Sequence, residues 1–375
     1  MENNGSQAKP RVVMVVQQRD VKGGIASVTN GYYGSSLEDE FDIKYVESYC
    51  DGSKLDKLIK ALKGYREFSK VLRTFKPDVA HLHTSFGPSF YRKQPFINMA
   101  VRRGIPVIDH CHGAEFDSFF TRASSLKKSA VRRVFGRCSR VIVLSEEWRE
   151  KFSNIIPRDR ICVVSNYCKP LKEETVRQFL DKRFQGKKIL FLGEIGKRKG
   201  GYDFANIIKK TVEKIPDAEF VICGDGAEED VKAIKDQIAK TCPGGKVSFP
   251  GWVRDGDKDK VLSEAALFLL PSYNEGQHMS ILDAMTYGLP VISTNVGGIP
   301  QQIENGKSGF LYTPGDTDGF AEGITALLTD IDRYKSASRE SLRIASDKYG
   351  FEAHAAKIAS IYRDVINDGP KGRNK

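Results

Sequence analysis

Two acids, Glu275 and Asp283, stand eight positions apart in PSYNEGQHMSILDAMTYGLP (271–290), one in a glycine-containing loop and one inside a helical pattern. A helix starting at Met279 would aim its free N–H groups at whatever Glu275 touches, with Asp283 one turn further in. Such carboxylates accept hydrogen bonds from sugar hydroxyls, while the helix N-terminus holds phosphate. Taken singly, Glu275 reads better as a loop solubiliser and Asp283 as a helix-dipole residue. A second stretch, GEIGKRKG (193–200), packs Lys197, Arg198 and Lys199 between an apolar run and a helix. Cations before a helix start describe a diphosphate site, and a solvated basic loop is the alternative. Lys22-Gly23-Gly24 follows the first apolar run, where glycines let backbone approach an anion, although tight turns of this kind need glycine anyway. His81-Leu82-His83 and His110-Cys111-His112 are H-x-H pairs whose rings share a strand face and could chelate a metal, as in a hydrolase. No matched acidic ligand set accompanies them, and His112 before Gly113 ends a strand at the expected binding edge. A dinucleotide fingerprint is missing: the first turn offers GGIASV, and GDGAEE (224–229) lacks the third glycine.

Strands must deliver these loops to one edge. Arg11–Gln17, Phe41–Ser48, Val79–His83, Pro106–His110, Val141–Leu144 and Ile161–Val164 read as strands. Between them, helices are expected from Ile25, over Lys54–Thr74, near Gln94–Arg103 and over Ser124–Arg137. The pattern restarts with strands Lys188–Gly193, Glu219–Gly224, Val247–Phe249, Leu267–Leu270 and Val291–Thr294. Helices Gly201–Lys214, Glu229–Lys240, Lys258–Glu264 and Met279–Tyr287 alternate with them. Alternation of this kind predicts parallel sheets covered on both faces, and ligands beyond the carboxyl ends of the strands. The polar segment Lys169–Lys187 reads as a linker, the last helix, about Phe351–Ile366, could reach back to the first domain, and GPKGRNK as a disordered tail.

At 375 residues, with 40% hydrophobic and 29% charged, the chain fits a globular protein of two domains. No run approaches the roughly 18 apolar residues of a membrane span, and MENNGSQAKP lacks the apolar region of a signal peptide. Seven cysteines without C-x-x-C spacing suit reduced thiols in a cytosol. Charge is uneven: residues 1–170 hold 29 Lys and Arg against 18 Asp and Glu, and the remainder holds 30 of each. Nucleic acid, an anionic membrane or an anionic substrate could use that excess.

Together the stretches resemble the signature of glycosyltransferase family 4, whose retaining enzymes have the GT-B fold. The resemblance rests on Glu275, Gly276, Asp283, Ala284-Met285, Gly288-Leu289-Pro290-Val291 and Gly297-Gly298, with GGI, HCHGAEF, VIVLSEEW, KRKG, VICGDG and FPGWV elsewhere. It spans nearly the whole chain and looks most like bacterial enzymes that build surface polysaccharides. It implies an α/β fold of two doubly wound Rossmann-like domains facing each other across a cleft. Residues 1–169, with helix 351–367, would bind acceptor; 170–187 would link, 188–350 would bind nucleotide-sugar, and 368–375 would form the tail.

By the same resemblance Lys199 and Arg198 hold the donor diphosphate, near Gly193. Glu275 contacts the donor sugar, assisted by backbone around Gln277, His278, Met279 and Ser280. Asp283 would take the ribose hydroxyls, Val253 and Arg254 would flank the base, and Gly24 would lie near phosphate or acceptor. His112 would hydrogen-bond the transferred sugar. The family's second acid is usually Glu, so Asp283 is one methylene short; Glu194 stands where Arg is common, and is expected to turn away while Arg198 substitutes. No carboxylate pair reads as nucleophile and acid/base, so the implied chemistry is front-face substitution with retention, without metal or resident cofactor. A nucleotide-sugar epimerase is the nearest rival within the fold, but no acid/base set can be assigned to it.

The acceptor would be a hydroxyl of a lipid-linked glycan, met by a cytoplasmic enzyme peripheral to the inner membrane face. SSLKKSAVRRVFGRCSR (124–140) carries six cations, among them Lys127, Lys128, Arg132 and Arg133, and no acid. With Phe116, Phe119 and Phe120 expected as exposed aromatics beside it, it suits an anionic surface or a pyrophosphate-linked lipid. No nucleic-acid reading motif accompanies it, so nucleic acid is not expected.

Overall fold

Apolar runs rich in Val, Ile and Leu form two parallel sheets of six strands each. The computed structural model describes residues 8–113 and 117–369; the expected tail from Pro370 onward, like Phe116, lies outside them. The chain divides into two units, Met1–Asn166 with Glu352–Lys375, and Tyr167–Phe351.

In the first unit β1 (Arg11–Val16), β2 (Asp42–Glu47), β3 (Val79–Thr84), β4 (Val107–Cys111), β5 (Arg140–Val143) and β6 (Ile161–Val163) take the order β2-β1-β3-β4-β5-β6. The helices are α1 (Gly24–Asn30), α2 (Ser36–Glu40), α3 (Lys54–Thr74), α4 (Pro88–Arg102), α5 (Ser125–Phe135) and α6 (Glu146–Phe152). Right-handed crossovers from β2 through β6 put α3 to α6 on one face. There Phe68 and Leu72, Phe96 and Ile97, Val131 and Phe135, and Trp148 and Phe152 share one core. A capping box starts α3: the Ser53 hydroxyl accepts from the Asp56 N–H, and the Asp56 carboxylate accepts from the Ser53 N–H. The helix expected near Gln94 begins at Pro88, whose ring suits the first helical turn.

In the second unit β7 (Lys188–Leu192), β8 (Glu219–Cys223), β9 (Lys246–Gly251), β10 (Leu267–Leu270), β11 (Val291–Thr294) and β12 (Gly309–Tyr312) take the order β12-β11-β10-β7-β8-β9. Its helices are α7 (Glu173–Gly186), α8 (Phe204–Lys214), α9 (Glu228–Thr241), α10 (Asp255–Glu264), α11 (Met279–Thr286), α12 (Ile299–Gln302), α13 (Thr317–Leu328) and α14 (Ile331–Tyr349). Helix α15 (Phe351–Asp368) then returns the chain to the first unit. There Tyr362 and His354 cover the histidine face of β3: the Tyr362 hydroxyl lies 2.6 Å from His81 Nδ1, and His354 Nε2 lies 2.7 Å from the Tyr32 hydroxyl.

The expected linker is corrected: residues 173–186 are helix α7. Val176 and Leu180 are buried, and so is Arg183, whose guanidinium donates to the carbonyls of Ser263, Tyr287 and Leu262 at 2.8, 2.9 and 3.2 Å. Those carbonyls end α10 and follow α11, so one side chain satisfies the open C-terminal groups of two helices. Among the described residues no helix is long and apolar enough to cross a membrane.

Candidate functional site

The order of the second sheet reverses between β7 and β10, whose chains leave to opposite sides. A doubly wound sheet opens its ligand crevice there, beyond the carboxyl ends of the strands. Leu267 pairs with Ile189 and Phe268 with Leu190, which brings the loop after β7 and the loop after β10 to one place. The first loop carries Gly193 to Gly200, with Lys197–Lys199 in a 3-10 turn; the second carries Pro271 to His278 and ends at α11.

Their side chains meet on one oxygen. Glu275 Oε1 accepts from Lys199 Nζ at 2.5 Å and from the Ser272 hydroxyl at 2.6 Å, with Arg198 at 3.4 Å. Lys199 Nζ also hydrogen-bonds His278 Nε2. Lys199, Glu275 and His278 are all buried. No side chain among the described residues donates to Glu275 Oε2. Burial alone would raise the Glu275 carboxyl, but His278, Lys199 and Arg198 outweigh it and hold it at about 2. Burial, eased by Glu275, brings Lys199 down to about 8, so it remains a cation at neutral pH. Burial and then Lys199 bring His278 down to about 3. The His278 ring is therefore neutral and accepts from Lys199 through Nε2, and its Nδ1 has no partner. Near neutral pH the attraction on Glu275 comes from Lys199 and Arg198.

Backbone holds this constellation at close quarters. A Cβ on Gly297, at φ +54°, would stand 1.8 Å from the Glu275 carbonyl oxygen, and one on Gly298 would stand 2.3 Å from that of Gly276. Gln302 clamps the start of α11 by accepting from the His278 N–H and donating to its carbonyl, both at 3.1 Å. A Gly297→Ala variant must push the Glu275 loop aside. It is expected to fold and to lose at least about tenfold in affinity for the nucleotide that the sequence leads one to expect here; titration calorimetry checks this, and unchanged affinity would show that the loop position is unimportant.

Other expected donor-side residues surround this core. Gly193 lies at the end of β7, where its carbonyl approaches Gly224 so closely that a Cβ there would stand 1.7 Å away. Glu194 pairs with Arg198 at 2.9 Å, so Arg198 is shared between two carboxylates. Asp283 sits in α11 with Lys258 Nζ at 3.1 Å; its carboxyl is raised, by burial first, with Lys258 opposing. Met279 and Ser280 open α11. Gln277 precedes its cap residue His278, whose N–H the Gln302 side chain already takes. Val253 is half-buried and Arg254 exposed beyond β9, where Arg254 is the extended residue just before α10. Ser272, Lys258 and Gln302 were not anticipated. Ser272 has the one legible signal, lying three residues before Glu275 at the end of β10.

Gly24 and His112 belong to the first unit. Gly24 opens α1 behind Gly23, whose φ of +132° favours glycine. His112 follows β4 with its Nε2 2.9 Å from His83 Nδ1, and it also bonds Asn166. Burial brings its ring down to about 3. The H-x-H pairs do converge: ring nitrogens of His81, His83 and His110 lie within 4.8 Å of one another, fully buried. Three histidines are a ligand set that zinc accepts, but complete burial leaves no coordination position open to water and substrate, so the set is a poor fit to a hydrolytic metal centre.

The expectation of exposed aromatics beside α5 is corrected. Phe119 and Phe120 are only 6% and 5% exposed, because their rings fill the core under α5. Lys127 lies over the Phe119 ring at 4.1 Å and Arg132 over Phe120 at 5.4 Å. Lys128 is half-buried and Arg133 exposed on the same helix.

Comparison with known proteins adds two family matches, two relatives and two solved structures. A family described as Glycosyltransferase Family 4 matches residues 28–168, and one described as Glycosyl transferases group 1 matches residues 186–330. The 2-deoxystreptamine N-acetyl-D-glucosaminyltransferase of Niallia circulans is 34% identical over 181 residues, 48% of this chain and 42% of that protein, so the match spans less than half of that relative. The UDP-Gal:alpha-D-GlcNAc-diphosphoundecaprenol alpha-1,3-galactosyltransferase of Escherichia coli is 26% identical over 88% of this chain and 86% of its own. Among solved structures, sucrose-phosphate synthase from Thermosynechococcus elongatus superposes with a TM-score of 0.76 at 15% identity, covering 96% of this chain and 100% of the other. HepE from Anabaena, in complex with UDP and glucose, gives 0.71 at 16% identity over 94% and 99%. At such identities the likeness shows the fold alone: doubly wound α/β units of the GT-B class, as expected.

Proposed function

The chain belongs to glycosyltransferase family 4, and on that premise we propose that it moves a sugar from a UDP- or GDP-linked donor to a hydroxyl of a lipid-linked glycan. The setting is polysaccharide or glycoconjugate synthesis, with the enzyme in the cytoplasm at the inner membrane face. The observation that carries this reading is the Glu275 carboxylate at the sheet reversal, with Oε1 tied by Lys199 and Ser272. Oε2 is then oriented to accept from a hydroxyl of the donor sugar.

Lys199 and Arg198 meet the diphosphate beside Gly193, and the start of α11 at Met279 and Ser280 adds backbone N–H groups. Asp283 takes the ribose hydroxyls in company with Lys258, and Val253 and Arg254 flank the base. Gly24 lies near phosphate or acceptor. His112 contacts the transferred sugar, for which it must exchange its bond to Asn166.

A carboxylate that His278, Lys199 and Arg198 hold well below its usual range is a weak base and a weak nucleophile. Double displacement through Glu275 is therefore disfavoured, and front-face substitution is the step proposed. The acceptor oxygen bonds the anomeric carbon on the face from which the nucleoside diphosphate leaves. The bond from that carbon to the phosphate oxygen breaks, and the departing phosphate takes the hydroxyl proton. Lys199 and Arg198 stabilise the charge that develops there, the task a divalent ion performs in other transferases.

Thermal stabilisation against UDP, GDP, ADP, their sugar conjugates and NAD(P), each with and without EDTA, tests the reading. One nucleoside diphosphate family is expected to raise Tm by about 5–10 °C at a hundredfold excess over Kd, unaffected by EDTA. A shift only with NAD(P), or one abolished by EDTA, would sink it.

A further inference from the structure

Leu55, Leu58, Ile59 and Leu62 on α3 recur at the spacing of an amphipathic stripe, the pattern that ordinarily faces a core. Here they are 64, 56, 41 and 50% exposed. The helix buries another stripe, Ala61, Gly64, Phe68 and Leu72, so its N-terminal half turns these four side chains outward. Two more exposed large apolar side chains occur among the described residues of the first unit, Tyr91 and Leu126. Tyr91 lies in the first turn of α4 and Leu126 is the second residue of α5. All six therefore stand towards the N-terminal ends of neighbouring helices on one face of the sheet. Helices that follow parallel strands begin at the carboxyl edge of the sheet, and that edge also carries Gly24 and His112.

Charge frames the same rim. Lys54, Lys57, Lys63 and Arg66 flank the stripe on α3, and α5 carries Lys127, Lys128, Arg132 and Arg133 without an acid. Of the two acids on α3, Asp56 is committed to the Ser53 capping box. Apolar side chains ringed by cations match an interface of acyl chains beneath anionic headgroups.

We propose that this rim docks on an anionic lipid bilayer, with the α3 stripe at the depth of the headgroup boundary and the α5 cations on lipid phosphates. Resting on the reading of a lipid-linked acceptor, docking along this edge would bring the acceptor headgroup to the end of the sheet where the first unit is proposed to bind it. The binding helix is then α3, with α5 as an electrostatic flank, because Phe119 and Phe120 are committed to the core.

Co-sedimentation of the full chain with phosphatidylcholine vesicles, with and without phosphatidylglycerol, tests the proposal. Binding is expected only with phosphatidylglycerol and is expected to weaken as salt is raised. The variant Leu55→Gln, Leu58→Gln, Leu62→Gln should lose about a hundredfold in vesicle affinity. It should keep its Tm and its transfer to a water-soluble acceptor fragment. Equal vesicle binding by both proteins, or none by the wild type, would overturn the proposal. So would a lipid-free dimer that the variant dissolves, because a second copy would then cover the stripe. Failure of transfer by both proteins, with vesicle binding as expected, would count against the transferase reading alone.

Discussion

Lowering the pH from about 7 to about 5.5 is expected to cost the first unit on the order of 3 kcal/mol of stability. Four buried imidazoles lose more than is returned by Asp109, which burial raises to about 7 and which takes up a proton in the same range. Five of the chain's six histidines gather on one side of β3 and β4, and His81, His83, His110 and His354 are buried. Burial lowers each of them most, and neighbouring imidazoles or Lys357 lower them further. His81 falls to about 3 and His354 to about 4, with His83 and His110 well below the usual value. The groups that act on them are one another, His112, Lys93 and Lys357, and no acid is among them. The folded state therefore keeps these rings neutral where the unfolded chain takes up protons. Stability is complete above about pH 6.5 and falls by roughly 1.4 kcal/mol per ring for each unit below it. Four rings thus approach the whole stability of an ordinary domain, about 5–15 kcal/mol. Calorimetry across this range should show a steep fall in Tm, made shallower by about one proton in His110→Gln. A Tm that stays flat down to about pH 5 would show that the cluster gains compensating charge.

A second large effect concerns Lys199 and Glu275. Removing either member leaves a buried charge without its main counter-charge, at a cost of about 3 kcal/mol to the second unit. Glu275 keeps only Ser272 and Arg198 at 3.4 Å, and Lys199 only the neutral His278. Lys199→Met and Glu275→Gln should each melt early, and each should lower kcat/KM by about a hundredfold to ten-thousandfold. Stability and activity should then separate in the double variant. With both charges gone most of the lost Tm returns, whereas turnover stays at the level of the single variants or below. Turnover that recovers together with Tm would mean that the pair only props up the loop.

Much of this was legible before any coordinates. Alternating apolar runs gave eleven of the twelve strands within a few residues, because most are buried on both faces and continuous in sequence. The edge strands β2 and β9 alternate between half-buried and exposed residues. The block from Pro271 to Ile303 singled out Glu275 and the start of α11, which lie together with Lys199 at the sheet reversal. What stayed hidden depends on contacts across the fold. The meeting of Lys199 with Glu275 spans 76 positions and follows from β7 lying beside β10. Helix α7 looked like a linker because a charged residue, Arg183, does the work of a core side chain there. Phe119 and Phe120 read as surface because of the cations around them, and those cations turn out to lie over their rings. The α3 stripe misleads in the opposite sense: periodicity shows that a helix has an apolar face, not what covers it.

Helix α15 also bears on how the chain is made. The unit that begins the sequence is completed by residues 352–368, after the contiguous unit 167–351. At roughly 5–20 residues per second, a ribosome takes about 10–40 seconds to travel from residue 166 to the end of that helix. Throughout that interval the nascent first sheet lacks Tyr362 and His354, and its histidine face stays wet. The half synthesised second can mature first, and the half synthesised first waits as a client for holding factors until α15 has been made.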